Sequence, residues 1–448
     1  MNWPPIDVPI LGRSGLIALI ALLHIPFFVN FVMGAPVIAV ISEWLGKRTG
    51  NPRYDQFSKH LATMAFVTVG VGAFGGIGLV ATNIGLFPRF FATGAGIFFW
   101  PLVLEIGAFL LEAIGIAVYR YTWEKNKHKT GHMVIGWVAA FGAWLSGFII
   151  NGLASFMLTP GKWVQSKQII DAWFNPSFLP SFTHRAVAAF SITGFFMIIY
   201  SLWMAGRSKT DEEKTYAEWS LRYAGKWALI ATALQFFPGV WYLTSVERGT
   251  SLAAPEGSVV PKLLNGQLTF FWFGGIILAA TAILLVYFLS VQNPKQGLKP
   301  LGHLGLILSV LLIITTTAFM GFTRERSRKP YLVYGVIYGN QMMVDMMKGN
   351  APAAAPPTET NQPQTANETE AGTGDPAAGQ VVFETGICKA CHSLNGDGGS
   401  IKALDGVGDR RSAENIRELL GAPPEGMPPF TGSPEEVNNL VAFLSGLK

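Results

Sequence analysis

Apolar residues gather along the chain into eight long runs, at roughly 13–44, 56–86, 90–122, 132–158, 182–206, 226–246, 266–291 and 301–322. A helix crossing a bilayer needs about 20 mostly apolar residues, and every run supplies that many. The longer runs predict helices that tilt or project beyond the hydrocarbon. The opening stretch, "MNWPPIDVPILGRSG", lacks the charged n-region of a secretory leader, and the apolar run continues past His24, so no cleavable signal peptide is expected. From Ala351 to about Asp375 the pattern stops. "APAAAPPTETNQPQTANETEAGTGD" holds no large apolar residue and is rich in Pro, Ala and Thr, the composition of a flexible linker. After it, "SPEEVNNLVAFLSGLK" resumes a helical pattern. Ser433 is the N-cap, Glu436 completes a capping box, and Val437, Leu440, Val441 and Leu444 share one face. The expected fold class is all-α: a polytopic membrane bundle of about eight spans over 1–345, a Pro/Ala-rich linker over 346–375, and a small all-α domain over 376–448.

Composition agrees with the pattern. Half of the residues are hydrophobic (50%), only 14% are charged, and the mean hydropathy is +0.36, against about 25% charged residues in soluble domains. The net charge of +5 is no sign of nucleic-acid binding, because Lys and Arg gather in the short loops between apolar runs. Lys47, Arg48, Arg53 and Lys59 follow the first run. Arg120, Lys125, Lys127 and Lys129 follow the third, and Arg207, Lys209, Lys214, Arg222 and Lys226 the fifth. Lys295 and Lys299 follow the seventh. The alternate loops are poorer in such residues. The positive-inside rule then predicts a multi-pass protein of the inner (cytoplasmic) membrane with both termini on the outer, periplasmic side. The cluster "RERSRK" at 324–329 falls on that outer side against the rule, which assigns its charges a local task.

Both cysteines of the chain lie in "TGICKACHSLNG", residues 385–396. Two cysteines make no disulfide framework. Cys388 and Cys391, followed at once by His392, have the spacing at which two thiols add to the vinyl groups of one haem c and the adjacent His binds its iron. A zinc half-site shares the CxxC spacing, but the domain holds no second pair of zinc ligands. "PPEGMPPF" supplies Met427, held between prolines, as the sixth ligand. A thioether there raises the reduction potential relative to a second His. The segment resembles a class I cytochrome c domain, and covalent haem attachment takes place on the outer side of bacterial-type membranes.

Ionisable residues inside spans are costly and mark function by default. Of the other six histidines, His60, His128, His132 and His303 fall near the ends of spans or in loops and read as solvated or interfacial. His24 lies in the first run, eleven residues past Arg13, or about 16 Å along a helix, and His184 opens the fifth. Glu105 and Glu112, in "WPLVLEIGAFLLEAIG", stand seven residues apart and share one helix face. An acid in hydrocarbon is protonated, paired or bound to metal, so the pair suggests haem ligation, a proton path or both. A neutral acid bonded to a neighbouring helix is the plainer alternative. Glu325 sits at the outer end of the eighth run among arginines, where an interfacial salt bridge is the plain reading.

Four stretches, "RSGLIALIALLHIPFFVNFVMG", "PLVLEIGAFLLE", "SFTHRAVAAFSITG" and "TRERSRKPYLVYG", resemble subunit I of the cytochrome bd-type oxidases over about residues 10–340. That resemblance implies an all-helical bundle holding three haems near the outer face, quinol oxidation, and reduction of dioxygen to water without copper. Carried over, His24 matches the axial ligand of the oxygen-reducing haem, which takes haem d or haem b. Glu105 matches the acid beside that haem, and Glu112 the deeper acid linked to the proton path, here one residue closer than is usual. His184 matches one ligand of the low-spin b haem and Glu325 the ligand of the high-spin b haem. "RKPY" stands where the family has a GRQPW-type motif, which gives Arg328 a haem propionate as partner.

The departures from the family are specific. The low-spin haem ordinarily takes a Met in a later span. In "FFWFGGIILAA", Ile276 stands in place of that Met and Gly274 in place of an Arg, and no other Met is near in the sequence. The long outer quinol-binding loop is reduced to 245–266, and the linker and cytochrome c domain stand where the family has its final span. The reading that follows is a membrane-bound oxidoreductase that takes electrons from a cytochrome c-type or other donor through its own c haem. It passes them to a high-spin haem that reduces O2, or a similar molecule such as NO, with a second membrane subunit and no nucleic acid as partners. Two alternatives stand beside it: a non-catalytic electron-transfer subunit of a larger respiratory complex, and a quinol oxidase with a divergent quinol site.

Overall fold

The computed structural model describes residues 5–6, 8–124, 128–253, 263, 266, 268–329, 331–339, 341, 374–385, 388, 392–394, 397–398, 402–421, 427, 430 and 432–447. Residues 342–373, which include all but the last two residues of the expected linker, lie outside them. The chain divides into two compact units, Met1–Lys329 with Val333–Gly335, and Pro330–Leu332 with Val336–Lys448.

Eight helical segments are long and apolar enough to cross a membrane, one for each apolar run. The first is α1 (Gly12–Leu23) and α2 (Asn30–Thr49), joined by a π-helical turn over His24–Val29. Pro26 has no N–H to give, so the helix re-registers around it, and His24 stands at the change of register. The second span is α3 (Pro52–Leu86). The third run is divided at Phe98 into a short α4 (Pro88–Ile97) and the span α5 (Phe99–Tyr121). The fourth span is α6 (Lys129–Phe156), which is followed by the short α7 (Trp163–Ser166) and α8 (Ile169–Trp173). The fifth is α9 (Phe178–Arg207). The sixth is α10 (Asp211–Leu234) continued by α11 (Phe236–Ala253). It starts some fifteen residues before its apolar run, because Thr210 and Glu213 form a capping box and helix through a charged stretch. The seventh is α12 (Thr269–Val286), which ends in a π turn over Tyr287–Gln292. After α13 (Pro294–Gly297) comes the eighth, α14 (Pro300–Ser327).

α2 is the centre of the bundle, buried continuously from Asn30 to Val40. Without a hydrophobic force between helices in lipid, small residues set their approach. A Cβ at Gly34 of α2 would strike the Ala189 carbonyl and the Thr193 hydroxyl of α9, and one at Gly194 of α9 would strike Ala228 of α10. Gly115 and Gly142 do the same for α5 and α6. Large apolar side chains such as Phe74, Ile77, Trp100, Phe236 and Leu301 are exposed on the outside of the spans, as lipid-facing positions require.

A two-stranded sheet joins β1 (Tyr331–Val333) and β2 (Ile337–Tyr338). The C-terminal domain holds α15 (Pro376–Thr385), three short strands, α16 (Val407–Arg410), α17 (Ala413–Gly421) and α18 (Pro434–Gly446). The strands are β3 (His392–Leu394), β4 (Asp397–Gly398) and β5 (Lys402–Ala403), with β3 between the other two. α18 opens with the expected capping box of Ser433 and Glu436, and Leu440, Val441 and Leu444 are buried with Phe383, Val407, Ile416 and Leu420. α15 crosses α18 at Gly379, whose missing side chain leaves room for the Asn439 backbone.

Candidate haem sites

His24 and His184 share one feature. Nδ1 of each ring is buried and has no hydrogen-bond partner among the described residues. Buried ring nitrogens ordinarily have one; the Gly72 backbone lies within reach of the His24 ring and the Gln235 backbone within reach of the His184 ring. Glycines let backbone come up against them. A Cβ at Gly75 of α3 would lie 2.9 Å from Nδ1 of His24, and Gly76 is next to the same ring. Gly239 of α11 borders His184, and Tyr242 stacks at 6.4 Å beyond it. Both His24 and His184 are imidazoles, the side chain that most commonly binds haem iron. Arg185, which the sequence reading passed over, is within electrostatic reach of His24, His184 and Arg324.

α5 is unbroken from Phe99 to Tyr121, so Glu105 and Glu112 do share one face. Glu105 accepts a hydrogen bond from the Ser146 hydroxyl of α6 at 2.8 Å. Glu112 is 4% exposed and lies where α6 passes closest, with the Gly142 backbone against its own.

Glu325 is held between two arginines. Nη1 of Arg324 donates to its Oε1 at 2.6 Å, and Nε of Arg328 donates to its Oε2 at 3.1 Å, joined by Nη2 of Arg328. Nη2 of Arg324 also donates to the Ala154 carbonyl of α6 at 2.5 Å. The charges that break the positive-inside pattern thus neutralise an acid and tie α14 to α6. Arg328 is 5% exposed and engaged with Glu325.

Ile276 is exposed on the outside of α12, whereas Gly275 is buried. The Met320 side chain of α14 covers that glycine, with Cε 2.6 Å and Sδ 3.6 Å from where a Cβ would be, and the Thr316 hydroxyl donates to the Gly275 carbonyl at 3.3 Å. The sequence reading found no methionine near this segment. The fold brings one there from a helix 45 residues further on, a proximity that sequence spacing does not carry.

In the C-terminal domain, Cys388 and Met427 pack against the same apolar core, beside Leu394 and Leu404. His392 opens β3, paired with Lys402 of β5. Cys391 lies outside the described residues. A partly buried thioether and a thiol converging on one core fit the two sides of a haem pocket.

A profile of the family described as cytochrome bd terminal oxidase subunit I matches residues 15–259. The chain belongs to that family. A second profile, cytochrome C oxidase, cbb3-type, subunit III, matches residues 374–444, so a bd subunit I bundle and a cytochrome c domain are fused in one respiratory membrane protein. Both matches imply haem binding. The chain is similar to cytochrome bd-II ubiquinol oxidase subunit 1 of Escherichia coli (strain K12), 26% identical over 253 residues, 54% of this chain and 48% of that one. It thus spans about half the length of that relative. The bd oxidase structure from Geobacillus thermodenitrificans shares the fold at a TM-score of 0.60 and 18% identity, covering 72% of this chain and 88% of that one.

One cluster in this bd subunit I bundle escaped the sequence reading. His132, taken as interfacial, is 3% exposed and bonded to Glu43, which is 2% exposed. Only the presence of Glu43 in an otherwise apolar run hinted at it.

Proposed function

We propose that this chain is a membrane-bound respiratory oxidoreductase of the bd type that takes electrons through its own c haem and reduces O2, or a similar small molecule, at a high-spin haem. The observation that carries this reading is the pairing in one chain of a CxxCH cytochrome c domain with a bd bundle whose His24 and His184 rings each keep a buried nitrogen without a partner. Bound haem supplies one-electron transfer and, at an open iron, reduction of the acceptor.

The protein's own groups take defined parts. Cys388 and Cys391 would hold haem c covalently, and His392 and Met427 would bind its iron. His24 is the ligand of the acceptor-reducing haem, b or d, with Glu105 beside it and Ser146 orienting that acid. Glu112, two turns deeper, passes protons toward Glu105. His184 would hold a low-spin b haem, and Met320, which packs over Gly275, is our candidate for its methionine in place of the outward-facing Ile276. Glu325 is the ligand of a further high-spin haem. Arg324 and Arg328 fix its carboxylate, and Arg328 serves a propionate from the same position. Both termini lie on the periplasmic side of the inner membrane. The donor is a cytochrome c-type or similar carrier, and a second membrane subunit completes the assembly.

One observation favours the rival reading of a non-catalytic electron-transfer subunit. Glu325 already has two cationic partners, and a carboxylate so engaged is a poor iron ligand. Oxygen uptake by the purified protein decides among the readings. Uptake with reduced c-type cytochrome supports the proposal, uptake with quinol alone supports a quinol oxidase, and uptake with neither supports the electron-transfer subunit.

A further inference from the structure

At the end of the bundle that carries Lys47, Arg48 and Lys129, four spans bring ionisable groups together beneath the surface. Glu43 comes from α2, Asp55 and Ser58 from α3, Tyr119 from α5, and Lys129 and His132 from α6. Glu43, His132, Tyr119 and Ser58 are 2%, 3%, 1% and 0% exposed. Nε2 of His132 lies 2.9 Å from the Tyr119 carbonyl, in the last turn of α5, where carbonyls lack intrahelical partners. A carbonyl only accepts, so Nε2 carries a proton. Nδ1 faces Oε1 of Glu43 at 2.8 Å, and the Tyr119 hydroxyl donates to Oε2 at 2.9 Å. One proton occupies the Nδ1–Oε1 contact, on the ring or on the acid. The His132 ring is stacked on Tyr119 at 4.4 Å and meets Trp123 edge-on at 4.8 Å, which fixes its direction.

A cavity of about 100 Å³ opens on this pair, lined by Glu43, Asp55, Trp123, Lys129 and His132, with room for water. The Asp55–Lys129 ion pair, with side chains 30% and 43% exposed, forms its rim, and Oδ1 of Asp55 is buried without a partner among the described residues. Tyr119 is also the third member of a repeat. Glu105, Glu112 and Tyr119 stand seven residues apart on the unbroken α5, on one face, in steps of about 10.5 Å.

We propose that Glu43, His132 and Tyr119 form a proton-loading site. It takes protons from the aqueous phase through water in the cavity and hands them along α5 to Glu112 and Glu105. The inference rests on the reading that the outer haem site consumes protons. A proton arriving from cavity water joins the His132–Glu43 pair as another leaves. With its hydrogen turned from Glu43 to the Ser58 hydroxyl, 3.3 Å away, the Tyr119 hydroxyl accepts from protonated Glu43 as its own proton passes to water on the inner side, so no net charge accumulates. The steps from Tyr119 to Glu112 and on to Glu105 exceed a hydrogen bond, so the proposal requires water between them. A purely structural tie between four spans is the competing role.

The test follows proton uptake with a pH-indicating dye while the haems of the purified full-length protein are reduced anaerobically. Oxygen is absent, so the oxidase reading can fail without this inference failing. Glu43→Gln keeps hydrogen bonds but removes the transferable proton. Tyr119→Phe removes one hydroxyl and keeps the ring. Both are expected to slow uptake by about tenfold or more, with the haem spectrum and the rate of haem reduction unchanged, and Glu43→Asp is expected to restore part of the rate. Unaltered uptake in both variants, loss of uptake only together with loss of the haem spectrum, or no uptake by the unaltered protein overturns the proposal.

Discussion

Nδ1 of His132 on α6 lies 2.8 Å from Oε1 of Glu43 on α2, and each side chain is 3% exposed. Two spans far apart in sequence are joined by polar groups buried beneath the surface. Removing one partner leaves the other buried and unpaired, which costs about 3–5 kcal/mol where the pair is ionic. Glu43→Leu is therefore expected to lower the unfolding temperature in detergent strongly. Adding His132→Leu to it is expected to recover part of the loss, because the buried imidazole is then no longer stranded beside a missing acid. A double variant no more stable than Glu43→Leu would show that the two side chains do not support each other.

The approach of α5 and α6 is set by Gly142, where a Cβ would come within 2.5 Å of the Glu112 amide nitrogen. The obstacle is backbone and cannot rotate away. Gly142→Ala is expected to destabilise the bundle by about 1–3 kcal/mol and to displace Glu112. Gly107→Ala, on α5 where nothing lies within 4 Å of a Cβ, serves as the control and is expected to be neutral. Thermal unfolding of the two variants in one detergent checks this.

Met320 covers Gly275, and Ile276 points outward. Met320→Leu conserves volume and keeps the packing to within about 1.5 kcal/mol but removes the thioether. It is expected to lower the midpoint potential of the low-spin b haem and convert its reduced spectrum toward a high-spin form, with the c-haem bands unchanged. Ile276→Met is expected to leave both untouched. A Met320→Leu spectrum identical to that of the unaltered protein would remove Met320 from the haem's coordination.

Acid–acetone extraction is expected to remove the b- or d-type haem and leave one haem per chain covalently attached through Cys388 and Cys391. Met427→His is expected to keep that haem and lower its potential, because imidazole stabilises the oxidised iron relative to a thioether. Redox titration of the c-haem band measures the direction.

Much of this was legible in the sequence because it depends on local spacing. Eight apolar runs became eight spans, and the seven-residue interval put Glu105 and Glu112 on one face. Ser433 and Glu436 capped the last helix as their spacing required. Features that depend on which helices meet were not legible. Met320 and Gly275 are brought together only by the packing of α14 on α12. His132 reads as interfacial until α2 supplies Glu43. The early start of α10 was hidden because hydropathy marks the bilayer rather than the helix, and a capping box carried the helix through its charged first turns. Glu325 and its arginines were seen as neighbours, but the tie of Arg324 to Ala154 required the fold.

The proposed function requires an open haem iron at His24, fed by the c-type domain. A carbon monoxide difference spectrum of the fully reduced, purified protein tests it most directly. The account predicts a CO-reactive high-spin component that disappears in His24→Ala while the c-haem bands remain. A reduced spectrum in which CO shifts no haem at all would contradict it.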